Sequence, residues 1–501
     1  MPVTLRMALR NLFQHKAKSL IVGILLALGM LIIVLGTAFL DASKRGIESS
    51  FTRNYTGDVI ITGVGNGPVS LFGVQSVGSM EQTPIVPDYE KIMAHVKGLP
   101  ETSMAAGSAS GYGMIINDSD DEESLEDMDE DSRMSTILML FGVDAPDYWK
   151  LFDNIKLASG DYLKPGQKGI MLASDRLDKI GKALKRNLKI GDEVLIQGFG
   201  STGMRLRSVP IVGSFIRASE SAGPEQLSYI DIDTLRILSG MTVGAAEAIE
   251  LSDKETFMLE LSDLDSLFGS DFDAFESADT TAKAISEADF DSLLGDTSRR
   301  EELNLSDSGA WHSILVRLDR PEKTAATILA LNQWFAKEGI DANAGDWQKA
   351  AGPYSKSVDL LRIIFTIAII ILAVVSIIII MNTLVVSIIE RTSEIGTMRA
   401  LGGNKFFIRK LFVAETISLA FIFGIIGIIL SFIASGVINA MGIEASNEFL
   451  QILFGGKMLR TSIDPLSLLW SLLLIILVGV VSSFYPVSVA LRIQPVQAMQ
   501  A

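Results

Sequence analysis

Residues 390–403 read ERTSEIGTMRALGG, and they follow 27 residues, Ile363 to Ile389, without one charged side chain. An uncharged helix of that length spans about 30 Å of hydrocarbon at 1.5 Å per residue, and buried helices of soluble domains rarely avoid charge for so long. Residues 390–403 are therefore where the chain emerges from a bilayer. Within them Thr392 or Ser393 is placed to cap a short helix, and Glu394 falls in its first turn, near the positive end of the dipole. Ile395, Met398 and Leu401 recur at helical spacing on one face while Arg399 projects elsewhere, and Gly402-Gly403 ends the helix. Spacing alone allows two uses for such a helix: lying apolar face down at the lipid interface, or being received by another protein.

Three other runs have the same character. Residues 19–40, 416–443 and 465–491 hold no Asp, Glu, Lys, Arg or His, in a chain of 501 residues that is 48% hydrophobic with a mean hydropathy of +0.36. The first run follows Arg6, Arg10, Lys16 and Lys18, as a signal peptide would, but its apolar core exceeds the ~7–15 residues of a signal h-region, so an uncleaved anchor is expected. Basic residues set the orientation. The first 18 residues carry four Lys/Arg and no acid, the 390–410 loop carries Arg391, Arg399, Lys405, Arg409 and Lys410, and the tail carries Arg492. Threading four spans puts all three on one side, the cytoplasm of a bacterial inner membrane, with both termini inside.

The expected fold class is an α-helical membrane protein with four transmembrane helices and a large extracytoplasmic α+β domain. The domain boundaries are a cytoplasmic interfacial helix (1–18), transmembrane helix 1 (19–40), the extracytoplasmic domain (41–355), and a stalk with transmembrane helix 2 (356–389). A cytoplasmic loop (390–410), helix 3 (411–443), an outer loop (444–464), helix 4 (465–491) and a cytoplasmic tail (492–501) follow. Polar residues Tyr354 to Asp359 extend the second span as the stalk.

In the outer domain GDVIITG (57–63) reads as a strand, 88–97 as a helix and GYGMIIN (111–117) as an apolar stretch. Far along the chain HSILVRL (312–318), 321–337 and 340–347 repeat the order strand, helix, strand. One split βαβ subdomain contributed by both ends of the segment is the economical reading. Between its halves STILMLFGVD (135–144), QKGIMLAS (167–174), GDEVLIQGF (191–199) and SVPIVGSFI (208–216) suggest a second, mostly β part. Two acidic inserts interrupt it, about 117–133 with ten acids against one base, and about 251–308 with the repeated phrase LDSLFGSD (264–271) and FDSLLGD (290–296). Such composition marks mobile surface chain. Asp118, Asp120 and Glu122 have calcium-loop spacing, but Glu123 stands where that loop needs Gly.

Several chemistries are excluded. There is no cysteine, which removes disulfide and thiolate chemistry, and a net charge of −16 argues against nucleic acid. No GxxxxGK[ST], HExxH, GxSxG or CxxC occurs, and His15, His95 and His312 are isolated, so no catalytic residue, metal ligand or cofactor is nominated. The spans lack the mid-membrane ionisable groups of ion-coupled carriers and the polar stripe of a pore.

The string IIERTSEIGTMRALGGNKFFIRKLFVAE (388–415) closely resembles the signature loop of FtsX-like ABC-transporter permeases. MALRNLFQHKAKSL (7–20), with Leu5, Ala8, Leu9, Leu12 and Phe13 on its apolar side, is similar to that family's N-terminal interfacial helix. YPVSVALRIQPVQAM (485–499) resembles its closing segment, with Pro486, Ala490, Pro495 and Ala498 in place. One span, a large outer domain and three more spans is the plan of the macrolide-exporter (MacB) and lipoprotein-releasing (LolC/LolE) branches, whose outer part is a porter-like α/β region split by a β-rich one. The cell-division member FtsX has a much smaller outer domain. The resemblance implies a non-catalytic permease working by mechanotransmission. ATP-Mg sits on a separate ABC ATPase dimer, and Glu390, Arg391, Glu394, Ile395, Met398, Arg399, Leu401 and Gly402 form the ATPase-coupling segment. It further implies a second permease copy or paralogue, membrane lipid, a periplasmic carrier, and a lipoprotein or other hydrophobic substrate taken from the outer leaflet. MacB-like efflux and a signal relay that activates an extracytoplasmic enzyme such as a cell-wall hydrolase are the alternatives. The sequence departs from the MacB pattern in lacking an ATPase domain on the same chain and in carrying the acidic inserts.

Overall fold

The computed structural model describes residues 16–74, 83–117, 129–152, 155–200, 203–216, 226–243, 304–447, 450–451, 454 and 456–492. Residues 1–15 of the N-terminal interfacial helix expected over 1–18, the calcium-like spacing at 118–123, the repeated acidic phrases, Pro495 and Ala498 lie outside these residues, and Lys16 to Lys18 belong to the first long helix. The described chain forms two units, one from residues up to Tyr55 together with those from Ala351 onward, the other from residues between Thr56 and Ala350.

The first unit begins with helix α1 (Lys16–Phe51), which carries the uncharged run 19–40 and continues beyond it through Asp41 and Arg45. The second unit is inserted here. Its strands are β1 (Val59–Gly63), the small pair β2 (Val69–Ser70) and β3 (Gly73–Val74), β4 (Thr102–Ile116), β5 (Ile137–Val143), β6 (Lys156–Gly160), β7 (Ile170–Ala173), β8 (Glu193–Gly200), β9 (Gly203–Ile216), β10 (Leu227–Asp231), β11 (Ser313–Leu318) and β12 (Ala342–Gly345). Its helices are α2 (Tyr89–Lys97), α3 (Glu130–Thr136), α4 (Ala145–Leu151), α5 (Ser174–Ala183), α6 (Ile232–Leu238), α7 (Thr324–Glu338) and α8 (Trp347–Ala351). The chain then returns to the first unit as α9 (Pro353–Glu390), α10 (Thr392–Ala400), α11 (Lys405–Met441) and α12 (Pro465–Arg492).

In the inserted unit the two anticipated strand–helix–strand units are β1-α2-β4 and β11-α7-β12, and they share one sheet. Its order is β12-β1-β11-β4-β5-β10-β7-β9-β6, with β8 pairing both β4 and β9. β1 lies antiparallel between β11 and β12, which places the two ends of the insertion side by side. Two apolar cores form on this sheet. Val59, Ile61, Ala105, Ile314 and Val316 pack with Ile92 and Val96 of α2 and Leu331 and Phe335 of α7. Ile115, Leu138, Leu140, Ile170, Leu172, Ile196, Ile211 and Ile230 pack with Ile180 of α5 and Leu235 and Leu238 of α6. The 15-residue strand β4 supplies Ala105 to the first and Ile115 to the second. Among its described residues the part expected to be mostly β thus also holds four short helices, because a sheet with apolar residues on both faces needs cover on each.

Both acidic tracts leave and re-enter the fold at neighbouring points. Met114 of β4 opposes Ile137 of β5, so residues 118–128 lie in the connection of an antiparallel pair. At the other tract Val243 N donates to Leu305 O at 3.1 Å and Asp307 N to Met241 O at 3.1 Å. Arg236 closes that neck: its buried guanidinium donates to Ala310 O and Ser308 O at 3.0 and 2.7 Å and lies 4.7 Å from the Trp311 ring centre. Long excursions joined at such necks add little closure entropy.

Among the described residues of the first unit, four helices are long and apolar enough to cross a membrane: Ser19–Thr56, Pro353–Glu390, Lys405–Met441 and Pro465–Leu491. Their shared core joins Leu26, Met30 and Val34 of α1, Ile380 of α9, Leu419 and Ala420 of α11, and Ile475 and Val478 of α12. Backbones approach closely at Gly427, where a Cβ would stand 2.6 Å from Ala27 O. Small residues permit such contact when apolar burial gives helices no preference over lipid. The hydroxyls of Thr416, Ser418 and Ser431 are satisfied by carbonyls one turn back, as a hydrocarbon solvent requires. α9 is the barest helix, with Leu360, Ile363, Ile364, Ile367, Ile370 and Ile371 each more than half exposed. At 38 residues it measures about 57 Å, nearly twice the hydrocarbon thickness. α11 stops at Met441, two residues short of the expected end of span 3, because Gly442 takes a left-handed φ of 58°. At the ends of the helices remote from residue 390, Asp41 pairs with Arg362 at 3.4 Å and accepts from Ser467, and Asn439 exchanges two hydrogen bonds with Thr461.

Candidate functional site: the segment between the second and third long helices

Residues 390–410 fold as the end of α9, the nine-residue α10, a turn, and the start of α11. The cap differs from the one expected. Neither Thr392 nor Ser393 caps α10. Thr392 Oγ1 instead donates back to Ile389 O at 2.6 Å, and no side chain caps the helix, since α9 runs into it with Arg391 alone between. The side-chain cap belongs to α11, where Asn404 Oδ1 accepts from Phe407 N at 2.7 Å. The double glycine acts as anticipated. Gly402 has φ 95°, and Gly403 N donates to Met398 O at 2.9 Å, so close that a Cβ on Gly403 would stand 2.7 Å from that oxygen.

The apolar face also differs. Ile395 is fully buried in a cluster with Ile388 of α9, Ile408 and Phe412 of α11, and Val487 and Ala490 of α12, and Met398 packs against it. Leu401, expected on the same face, is 89% exposed, because the chain leaves helical geometry there. α10 is therefore seated by its own bundle, and the family's closing segment, just after Pro486 within α12, helps to form the seat. Sequence reading grouped Arg391 with the coupling residues. The structure buries it, with Nη1 3.2 Å from both Glu415 oxygens, Nε 3.1 Å from Glu394 Oε2, and the guanidinium 5.7 Å from the Phe412 ring centre. Glu415, Phe412 and Asn404 were not singled out from sequence. An Arg in a short loop and a lone Glu at the edge of an uncharged run were the available signal.

What remains on the surface is specific. Glu390, Ser393, Glu394, Thr397, Leu401 and Gly402 are exposed, and Arg399 is partly buried. Phe406 is 61% exposed, with Lys410 Nζ 4.6 Å from its ring centre, and Lys405 and Arg409 stand beside it. Two large apolar side chains ringed by cations on so short a segment have the composition of a protein-docking point.

The family match includes this segment. Residues 366–495 match the family of FtsX-like permease C-terminal domains. The lipoprotein-releasing system transmembrane protein LolE of Haemophilus influenzae is 24% identical over 202 residues, 36% of this chain and 47% of LolE. The macrolide export ATP-binding/permease protein MacB of Mannheimia succiniciproducens is 32% identical over 120 residues, 24% of this chain and 16% of MacB. The chain thus spans about half the length of the first of these relatives and about a sixth of the second. Among solved structures, the periplasmic region of MacB from Actinobacillus actinomycetemcomitans aligns with 60% of this chain and 94% of its own at 11% identity and a TM-score of 0.29. With α10, α11 and most of α9 and α12 inside the matched stretch, residues 366–495 are an FtsX-like permease C-terminal region, and over parts of its length the chain is similar to LolE and MacB.

Proposed function

We propose that this protein is the permease subunit of an ABC transporter and that it works by mechanotransmission. The observation that carries the reading is the seated helix α10 with exposed Leu401 and Phe406 at its exit, inside the stretch that matches FtsX-like permeases. In this proposal a separate ATPase dimer holds ATP-Mg and grips the segment from the cytoplasm; the 501 residues themselves contain no GxxxxGK[ST]. Its closure shifts α10, and α9, continuous from Pro353 to Glu390, carries the displacement along its length toward the inserted domain. No charged path through the bundle is needed, which agrees with spans free of ionisable groups.

In the proposed orientation, which rests on the basic residues at 1–18 and 390–410, the inserted domain lies outside the inner membrane and both termini inside. The substrate is a lipoprotein or another hydrophobic molecule leaving the outer leaflet. LolE, by name part of a lipoprotein-releasing system, aligns over a longer stretch than MacB, which favours release over efflux. A second copy or a paralogue completes the assembly. Purification of the full chain in mild detergent tests the reading: a P-loop ATPase should accompany it at near-stoichiometric level, and ATP hydrolysis should track that subunit. Transporter-like hydrolysis by the chain alone would overturn the assignment.

A further inference from the structure

Arg391 stands where three segments meet. Its backbone N–H closes the last turn of α9 on Ser387 O and Ile388 O, each at 3.2 Å, and its carbonyl accepts from Ile395 N of α10 at 3.0 Å. Its side chain, 5% exposed, reaches a third element, α11, through Glu415, whose side chain is 14% exposed. Glu415 immediately precedes the uncharged run 416–443, so its carboxylate lies where α11 enters apolar surroundings. A carboxylate there needs a fixed cation, and a guanidinium that also donates to Glu394 is hard to replace with an ammonium, which is a point charge without a fork. The two carboxylates are unequal. Glu394 is 58% exposed and belongs to the helix being held, whereas Glu415, 14% exposed, is largely covered and belongs to the bundle.

We infer that Arg391 is a positioning residue, a clamp that ties α10 to α11 through Glu415 so that α9, α10 and the start of α11 move as one body. The inference deepens the docking reading above and rests on it for its consequence in coupling. Glu394 is then the outward, exchangeable partner, and Glu415 the anchor. Without the clamp α10 keeps the apolar seat of Ile395 but pivots about it, so a push on the exposed turn is absorbed locally instead of reaching α9.

The chain has no cysteine, so spin labels can be placed without background removal. Labels on Thr397→Cys and Arg409→Cys, both exposed, report the α10–α11 distance in the full chain reconstituted in nanodiscs. A single narrow distribution is expected for the parent and for Glu394→Gln. Arg391→Ala and Glu415→Gln should at least double its width, with Arg391→Lys between. If Arg391→Ala fails to insert, Glu415→Gln and Arg391→Lys carry the test. A second readout separates positioning from mere stability: Arg391→Lys should bind the co-purified ATPase with parent affinity yet show several-fold lower maximal stimulation of hydrolysis. Parent-like widths in Glu415→Gln and in the Arg391 variants would overturn the clamp, as would a Glu394→Gln distribution as broad as that of Glu415→Gln. Broadened distances with undiminished stimulation would support the clamp and count against the docking reading, so the two failures are distinguishable.

Discussion

Met398 and Leu401 sit three residues apart and face different worlds. Met398 packs on Ile395 and its neighbours, while Leu401 stands 89% exposed. Met398→Asp is therefore expected to disturb the seat of α10, since a carboxylate against an apolar cluster costs several kcal/mol unless it finds a partner. Limited proteolysis should show new cleavage within 390–403, and unchanged resistance would contradict the seat. Gly403→Ala drives a Cβ into Met398 O and should destabilise the turn by about 1–3 kcal/mol, read as a lower melting temperature in detergent. His312 supplies a residue-scale prediction in the inserted domain. It is buried, its Nδ1 accepts from Ser110 N at 3.1 Å, and burial lowers its pKa to about 4. Unfolded histidine titrates near ~6.5, so the neutral ring's stabilisation is fully present above that value. It is lost as pH falls from ~6.5 toward about 4, by up to roughly 3 kcal/mol. Hydrogen exchange of the Ser110 amide, corrected for intrinsic rate, should speed up between pH 7.5 and 5. A protection factor independent of pH would exclude this.

At the scale of elements, deletion of residues 118–128 should leave expression and melting unchanged, because Met114 and Ile137 already face each other across the pair that the tract connects. Extending the deletion through Thr136 removes α3 and the Ser135 carbonyl to which buried Arg176 donates at 2.7 Å, and should cost about 1–3 kcal/mol. Equal melting temperatures for the two deletions would refute that distinction. The same elements show what sequence can and cannot reveal. The long helices were legible because an uncharged run of bilayer length has few other uses, and β1, β11 and α7 because apolar runs and helical periodicity bounded by turn residues identify them. β10 was missed: LSYID is short, buried on both faces, and held by a parallel partner far away in sequence, β5. β6 was missed because KLASG is an exposed edge without alternation. In the loop, the existence and limits of α10 were legible from Gly402-Gly403. The inward turn of Ile395 and Met398 was not, because it depends on Val487 and Ala490, nearly a hundred residues downstream.

For the whole molecule, force is expected to enter at the exposed turn 401–406 and not at the buried residues of α10. Co-purification of a P-loop ATPase would establish the partner, but it would not locate its grip. Leu401→Asp and Phe406→Asp locate it, since both side chains are exposed and neither belongs to the apolar seat beneath α10. The decisive measurement is ATPase association and stimulated hydrolysis for these two variants in nanodiscs, with melting temperature recorded alongside. If the exposed turn is the docking point, melting temperatures match the parent and association weakens by about tenfold or more, equivalent to some 1.4 kcal/mol of docking energy per variant. Parent-level association and stimulation in both variants would contradict it.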